Sequence, residues 1–395
     1  MKTNKYFFNN PVMWIYTAYL LFKIIQIIFV PPAAIRGLGD ITHFFRLSEI
    51  PGWPYIDYWV EFPPIAPFLF KLLYLIARGI EDKFTILFFG FISLVNLINI
   101  RMFSLVDQKI NPLEEKTRNF KLFFLTILFL IFPYTWWYFD SLAVFFLLCT
   151  LYLYQVNKYQ LGTITLSLGV LTKLFPVFGS VILFKRIGIR KTLILAIFGL
   201  VIVSIPILIL VLVSQDFALA SLASQISKGS WETIWALIDG NYQTGNFGPL
   251  WERLEPQMAF ITTFQPAKIP SLSVLIPFLV IGFLLIRRSQ IKRTTAEIPL
   301  ILSTFLLFFL WSPGWSPQWV LFLIPLILLS PGQSLRLQMV IVVFLVFLAL
   351  SEWPIIIGLQ IESLFPVIIL LRTGFMVLLL ISNAKEILSK EVITE

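Results

Sequence analysis

Apolar runs of membrane-crossing length recur along this chain from Val12 to its last fifth. In lipid every backbone N–H and C=O must be satisfied within the protein, so only helices and closed barrels can span. The runs are continuous and lack period-two alternation, which selects helices. Composition agrees. Of 395 residues, 58% are hydrophobic and 13% charged, against about 25% charged in soluble domains, and mean hydropathy is +0.88. The fold class is therefore an all-α polytopic membrane protein. The lone cysteine, Cys149, lies in an apolar run, which excludes an intrachain disulfide and a thiol metal site.

Spans are expected near 12–31, 86–105, 121–139, 140–156, 160–172, 175–184, 192–213, 271–286, 297–311, 317–330, 338–353 and 363–382, about 11–12 transmembrane helices. The segment 175–184 is too short to cross alone, and 160–184 breaks at Lys173-Leu174-Phe175-Pro176. The first run, Val12 to Val30, is long for a signal peptide and is expected to be retained. The net charge of +9 need not mean nucleic acid. Basic residues fall mostly between spans: Arg101, Lys109, Lys116, Arg118 and Lys121; Lys158; Lys185, Arg186, Arg190 and Lys191; Arg287, Arg288, Lys292 and Arg293; Lys385 and Lys390. The positive-inside rule then places both termini in the cytoplasm. Ile65–Ala77 as a full span would turn the basic 101–121 loop outward, so it is expected as a juxtamembrane helix, with Lys71 and Arg78 as interfacial anchors. The whole of 1–395 is expected to form one integral-membrane domain, with two long external loops, about 32–85 and 214–270, covering its site.

The polar residues worth weighing lie mostly in those loops. Asp40 follows Arg36-Gly37-Leu38-Gly39; partial desolvation there would raise its pKa and make it a better base. It equally fits a helix N-cap before Ile41. His43, the only histidine, and Arg46 follow at three and six residues, a basic face suited to phosphate. Glu61-Phe62-Pro63-Pro64 reads as an extended lead into the Ile65 helix, with Glu61 at its positive end. Asp140 heads a span after Tyr134-Thr135-Trp136-Trp137-Tyr138-Phe139, and Lys173 breaks one. Ionisable groups within spans are functional candidates by default; Lys23 and Arg372 also lie within spans and are expected to pair or snorkel. Asp239-Gly240-Asn241-Tyr242-Gln243-Thr244-Gly245-Asn246 is a polar turn flanked by Trp231, Trp235, Trp251 and Arg253. Aromatic faces beside amides suit a sugar; an ordinary turn also fits. Trp311-Ser312-Pro313-Gly314-Trp315-Ser316-Pro317-Gln318-Trp319 joins two spans. No nucleotide-binding glycine motif occurs.

Asp40, Glu61-Phe62-Pro63-Pro64, Phe139-Asp140-Ser141, Leu171-Thr172-Lys173-Leu174-Phe175-Pro176 and Ser316-Pro317-Gln318-Trp319 together resemble the GT-C superfamily of membrane glycosyltransferases. The likeness is to the polyprenyl-phosphate-sugar-dependent type of phosphatidylinositol-mannoside and GPI assembly. It covers most of the chain by topology, through short motifs.

The resemblance implies a multi-pass protein of a bacterial plasma membrane. It would move a hexose, mannose by family, from polyprenyl-phosphate-sugar to a lipid or glycan acceptor on the non-cytoplasmic face, with inversion. Asp40 matches the family's first-loop acid as general base. Lys173, Arg46, His43 and Arg253, in that order, are the expected contacts to donor phosphate. Glu61, Asp140, Asn241, Gln243, Trp251 and Gln318 are the expected contacts to sugar or acceptor. The Asp-x-Asp of some members is missing after Asp40, so no cofactor is expected; a divalent metal is compatible with the chemistry but not indicated. Membrane lipids are the other expected partner, and nucleic acid is not one. The alternative is a transporter or flippase of a lipid-linked sugar, for which charges within spans and broken helices speak and the absence of an internal repeat does not.

Overall fold

The computed structural model describes residues 11–112, 114–242, 244–245, 248–261, 264–289 and 296–388. Of the described residues 79% are helical, and no strand occurs among them. Among the described residues six helices are long and apolar enough to cross a membrane: Val12–Phe29, Glu81–Ile110, Gly188–Val213, Ser271–Arg288, Leu335–Ile356 and Phe365–Leu388. Four more, Ile65–Ala77, Asp140–Gln155, Glu297–Trp311 and Pro317–Leu329, are apolar but only 10–17 residues long. At 1.5 Å per residue these reach about 15–26 Å, short of a hydrocarbon core of about 30 Å. Gly188–Val213 exposes Leu193, Ile194, Ile197, Leu200, Leu208 and Leu212. In water such a face would be a liability; in a bilayer it is an ordinary outer surface. This is an integral membrane architecture.

The chain packs as two compact units. The first comprises Met1–Val177, Leu195–Ile226 and Gly248–Phe260; the second comprises Phe178–Ile194, Ser227–Phe247 and Ile261–Glu395. In the first unit the 30-residue Glu81–Ile110 helix packs against Val12–Phe29, Ile65–Ala77, Glu115–Ile131 and Asp140–Gln155. Pro133 and the short Tyr134–Trp137 helix interrupt the path between the last two, which leaves backbone carbonyls without helical partners. Buried Asn96 and Asn99 brace this turn: Asn96 Nδ2 donates to Thr135 O at 2.7 Å and Asn99 Nδ2 donates to Ser141 O at 2.9 Å. Irregular backbone at membrane depth persists only when satisfied in this way. The break sets Asp140 at the head of its helix.

The Ile65–Ala77 helix forms as expected and ends at Arg78 in the left-handed region, φ 55°. Lys71 is not an interfacial anchor. It is buried, and its Nζ donates to Ser48 O at 2.9 Å and Ile50 O at 2.8 Å. Those carbonyls close the Ile41–Glu49 helix, where no backbone donor remains for them. Lys121, expected as a loop charge, is likewise buried and pairs with Asp107 at 3.1 Å. Lys23 is buried too, its Nζ 4.3 Å from the Trp136 ring centroid and 5.1 Å from that of Phe89.

In the second unit Glu297–Trp311 packs against Ser271–Arg288, Val320–Leu329 and Phe365–Leu388. Every residue of Val320–Leu329 is buried, as a helix that is apolar all round must be. Arg186 forks onto the Glu297 carboxylate, Nη2 to Oε2 at 2.7 Å. Lys185 Nζ donates to Arg287 O at 3.1 Å and Ser289 O at 3.0 Å, closing the end of the Ser271–Arg288 helix.

Replacing Lys71 by Met keeps the stem and removes both capping bonds. Two carbonyls then lose their donor, and Lys71→Met is expected to destabilise the protein by about 1–3 kcal/mol. Leu72→Met, at an exposed neighbour, should change little. Thermal unfolding of both variants in detergent measures the difference.

Candidate functional site

The site grows from the path between Phe29 and Glu81. Gly37 takes φ 50°, and a Cβ there would stand 2.6 Å from the Trp137 ring; a Cβ at Gly39 would stand 2.3 Å from Trp137 Cβ. Both positions need glycine because the Trp137 side chain lies against this backbone. Trp137 Nε1 also donates to Ile35 O at 3.0 Å. Asp40 and the Asp140 turn are thereby tied to the same tryptophan.

Asp40 occupies the N-cap position of the Ile41–Glu49 helix, but its side chain makes no capping bond. Capping is therefore not what holds it. The carboxylate is half-buried. Burial raises its pKa above the ordinary carboxylate value; Glu61 and Asp140 push the same way, against His43 and Lys173. His43 stands one helical turn on, so it shares a face with Asp40. Its Nε2 meets Glu61 Oε1 at 2.7 Å, with its side chain still 33% exposed.

Glu61 is held from the other side by Arg253, whose Nε lies 3.3 Å from Oε2. Arg253 is fully buried, its Cζ 4.0 Å from the Trp59 ring centroid. Backbone bonds fix this arrangement: Trp59 N donates to Arg253 O at 3.0 Å, and Trp59 Nε1 donates to Glu252 O at 2.8 Å. Val60 N donates to Ser221 Oγ at 3.0 Å. Beneath the acids lies an aromatic floor in which Phe44 stacks on Phe70 at 4.3 Å and Phe62 meets Phe139 edge-on at 5.2 Å.

Lys173 follows the Tyr159–Thr172 helix in extended conformation, φ −161°, with Pro176 three residues on. Its Nζ lies 2.6 Å from Asp140 Oδ1 and 5.3 Å from the Phe139 ring centroid. The structure thus brings together Asp40, His43, Glu61, Asp140, Lys173 and Arg253: three acids, two fixed cations and a histidine.

Several expected roles change. Arg46 is exposed and bonds Glu49 Oε2 at 2.8 Å. Six residues at 100° each leave it about 120° round the helix from Asp40, so it does not share the acid's face. Arg253 is buried and paired with Glu61. Glu61 has one oxygen against the His43 imidazole and the other against the Arg253 guanidinium. Asp140 is engaged by Lys173. Asn241 belongs to the second unit, where its amide is a clamp: Nδ2 donates to Ser230 Oγ at 2.9 Å and Gln265 O at 3.2 Å, and Oδ1 accepts from Gln265 N at 2.7 Å. Gln318 is half-buried in the Pro317–Trp319 turn of that unit. Trp251 is exposed two positions before Arg253. Gln243 lies outside the described residues. Trp59, which by residue type suits the interfacial belt, is buried instead; the packing of Trp137 was not foreseen, and the Gly-x-Gly spacing before Asp40 was the available signal for a ring packed on that backbone.

Among the described residues no group of three or more His, Cys, Asp or Glu side chains is placed to hold a metal ion. A recess of about 400 Å³ lies at the far end of the Glu81–Ile110 helix, lined by Leu105, Gln108, Lys109, Pro112 and Tyr152; it contains one lysine and no acid.

The site has a pH signature. Burial alone would lower the His43 pKa, but the hydrogen bond and charge of Glu61, with Asp40, carry it above 6.5. Burial alone would raise Glu61, but Arg253 and then His43 hold it well below the ordinary 4.5. The His43 contribution to stability is full below pH 6.5 and is lost as pH rises through the higher folded value; that of Glu61 is present above pH 4.5 and lost as pH falls through its lower folded value. Because His43 is the sole histidine, one imidazole resonance reports it. Its titration midpoint is expected above 6.5 and should fall in Glu61→Gln; an unchanged midpoint would refute the pairing. Compared with known proteins, the chain matches no family model, no curated sequence and no solved structure.

Proposed function

We propose that this protein is a membrane glycosyltransferase that moves a hexose, with mannose the family-based choice, from polyprenyl-phosphate-sugar to a hydroxyl of a lipid or glycan acceptor. The single observation that carries this reading is Asp40: a half-buried acid with no capping bond, in the field of His43 and Lys173. A base needs a raised pKa and an uncommitted oxygen, and of the three acids gathered here Asp40 alone forms no ion pair among the described residues.

In this proposal the reaction is a direct displacement on the non-cytoplasmic face. Asp40 takes the acceptor hydroxyl proton as that oxygen attacks the anomeric carbon. The bond from that carbon to the carrier phosphate breaks, and its electron pair leaves with the phosphate. The products are the inverted glycoside and polyprenyl phosphate. His43 and Lys173 face the charge that gathers on the leaving group, which is where fixed cations act most strongly. Glu61, braced by Arg253, holds the imidazole in place, and Asp140 does the same for the Lys173 ammonium. Trp251 offers an exposed ring for a sugar face.

Asp40→Asn is expected to lower transfer about 10²–10⁴-fold, the range for loss of a general base, with expression and unfolding behaviour kept. The assay supplies membranes with radiolabelled polyprenyl-phosphate-sugar and a panel of lipid and glycan acceptors. Undiminished transfer by folded Asp40→Asn would remove the base. A labelled donor that crosses liposomes without any product forming would replace this reading with transport. For the cation, Lys173→Met paired with Asp140→Asn avoids stranding a buried charge; the pair should fold and transfer poorly.

A further inference from the structure

The second unit holds a polar cluster that the proposed reaction does not use. Glu232, Trp315, Glu352 and Arg372 are 4%, 2%, 1% and 3% exposed. Arg372 donates to the Glu352 carboxylate and to the backbone carbonyl of Glu232, and its Cζ lies 4.7 Å from the Trp315 ring centroid. Trp315 Nε1 donates to Glu352 Oε2 at 3.2 Å. Both oxygens of Glu352 therefore face donors.

Glu232 is placed differently. The Gly245 backbone bonds its carboxylate, but Oε2 is buried with no hydrogen-bond partner among the described residues. The charged groups that face it are Glu352 from the Ser351–Ile357 segment, Arg372 from the last helix and Lys228 from its own loop. The Lys228 ammonium sits over the Trp231 ring, 4.8 Å from the centroid. Arg372 is committed to Glu352 and to a carbonyl. The two buried carboxylates face one buried guanidinium, with Lys228 only half-buried beside them, and a buried carboxylate oxygen without a donor favours the protonated form.

The backbone at both acids is unusual. Glu232 has φ 53°, a region that non-glycine residues rarely adopt. Glu352 lies in a seven-residue π-helix that contains Pro354. Both conformations concentrate at functional sites.

We propose that Glu232 and Glu352 form a proton-binding site, in which one proton rests on Glu232 beside the Glu352–Arg372 pair. The site is independent of sugar transfer. Its ligand is the proton, and removing that proton sets two like charges against each other between the Glu232 loop and the π-helix. Burial, then Glu352, raise the Glu232 pKa well above 4.5, against Arg372 and Lys228. A carboxyl that holds its proton more tightly folded than unfolded contributes less as pH rises above 4.5, and the loss stops above its folded pKa.

The test uses the full chain in detergent. Infrared difference spectra between acid and alkaline pH should contain a protonated-carboxyl C=O component that Glu232→Gln removes. Glu232→Gln should also raise the unfolding midpoint at pH 8, with the gain shrinking towards pH 4.5. In Glu352→Gln, Glu232 becomes the sole anion for Arg372, so the same component should vanish and the midpoint fall. An infrared component that survives in either variant would overturn the shared proton. So would a Glu232→Gln midpoint that falls equally at every pH.

Discussion

The Glu61 carboxylate, buried with His43 against one oxygen and Arg253 against the other, is the contact on which the candidate site depends. His43 approaches Oε1 at 2.7 Å and Arg253 approaches Oε2 at 3.3 Å. A lone buried carboxylate is strongly disfavoured, so Glu61 can stay ionised there only because both partners arrive. Arg253 lies 192 residues further along the chain, and it arrives because Trp59 bonds the backbone around it at Arg253 O, Glu252 O and Glu255 O. The ion arrangement and the backbone pairing therefore support each other. Together they draw the 248–260 segment into the first unit, under the helix that carries Asp40 and His43.

A division of labour follows among the acids. Glu61 and Asp140 each hold a cation and so act through it. Asp40 is held by neither a cap nor an ion pair, and what fixes it is packing: Trp137 against two glycines. This is how an acid can be placed firmly while its oxygens stay available. The buried ion pairs at Asp107–Lys121, Arg186–Glu297 and Glu352–Arg372 follow the same economy of charge in low dielectric, where removing one partner is far more damaging than removing both.

The fold class was legible because hydropathy and continuity of the apolar runs are local properties. So was the Ile65–Ala77 helix, since Pro63-Pro64 acts on its own neighbours, and so was the break at Lys173, imposed by Pro176. The gathering of Asp40, His43, Glu61, Asp140 and Lys173 was legible as a set of residue types at helix ends. Their pairings were not. Lys71 and Lys121 look like surface anchors in sequence, because nothing local reveals that a helix end or an aspartate will be waiting for them. Arg46 was misjudged by a helical angle. The burial of Arg253 was not legible because it depends on Trp59, far away in the chain.

The sequence by itself determined that this chain must be helical and must meet lipid, since 58% hydrophobic residues in long runs leave a spanning backbone no other way to satisfy its polar groups. It also determined where helices break, because proline and glycine act on adjacent residues. Only the tertiary structure decided which charges are spent on one another and which carboxylates remain uncommitted, because burial and ion pairing are properties of neighbours in space. Asp40 in the first unit and Glu232 in the second stand out for that reason alone.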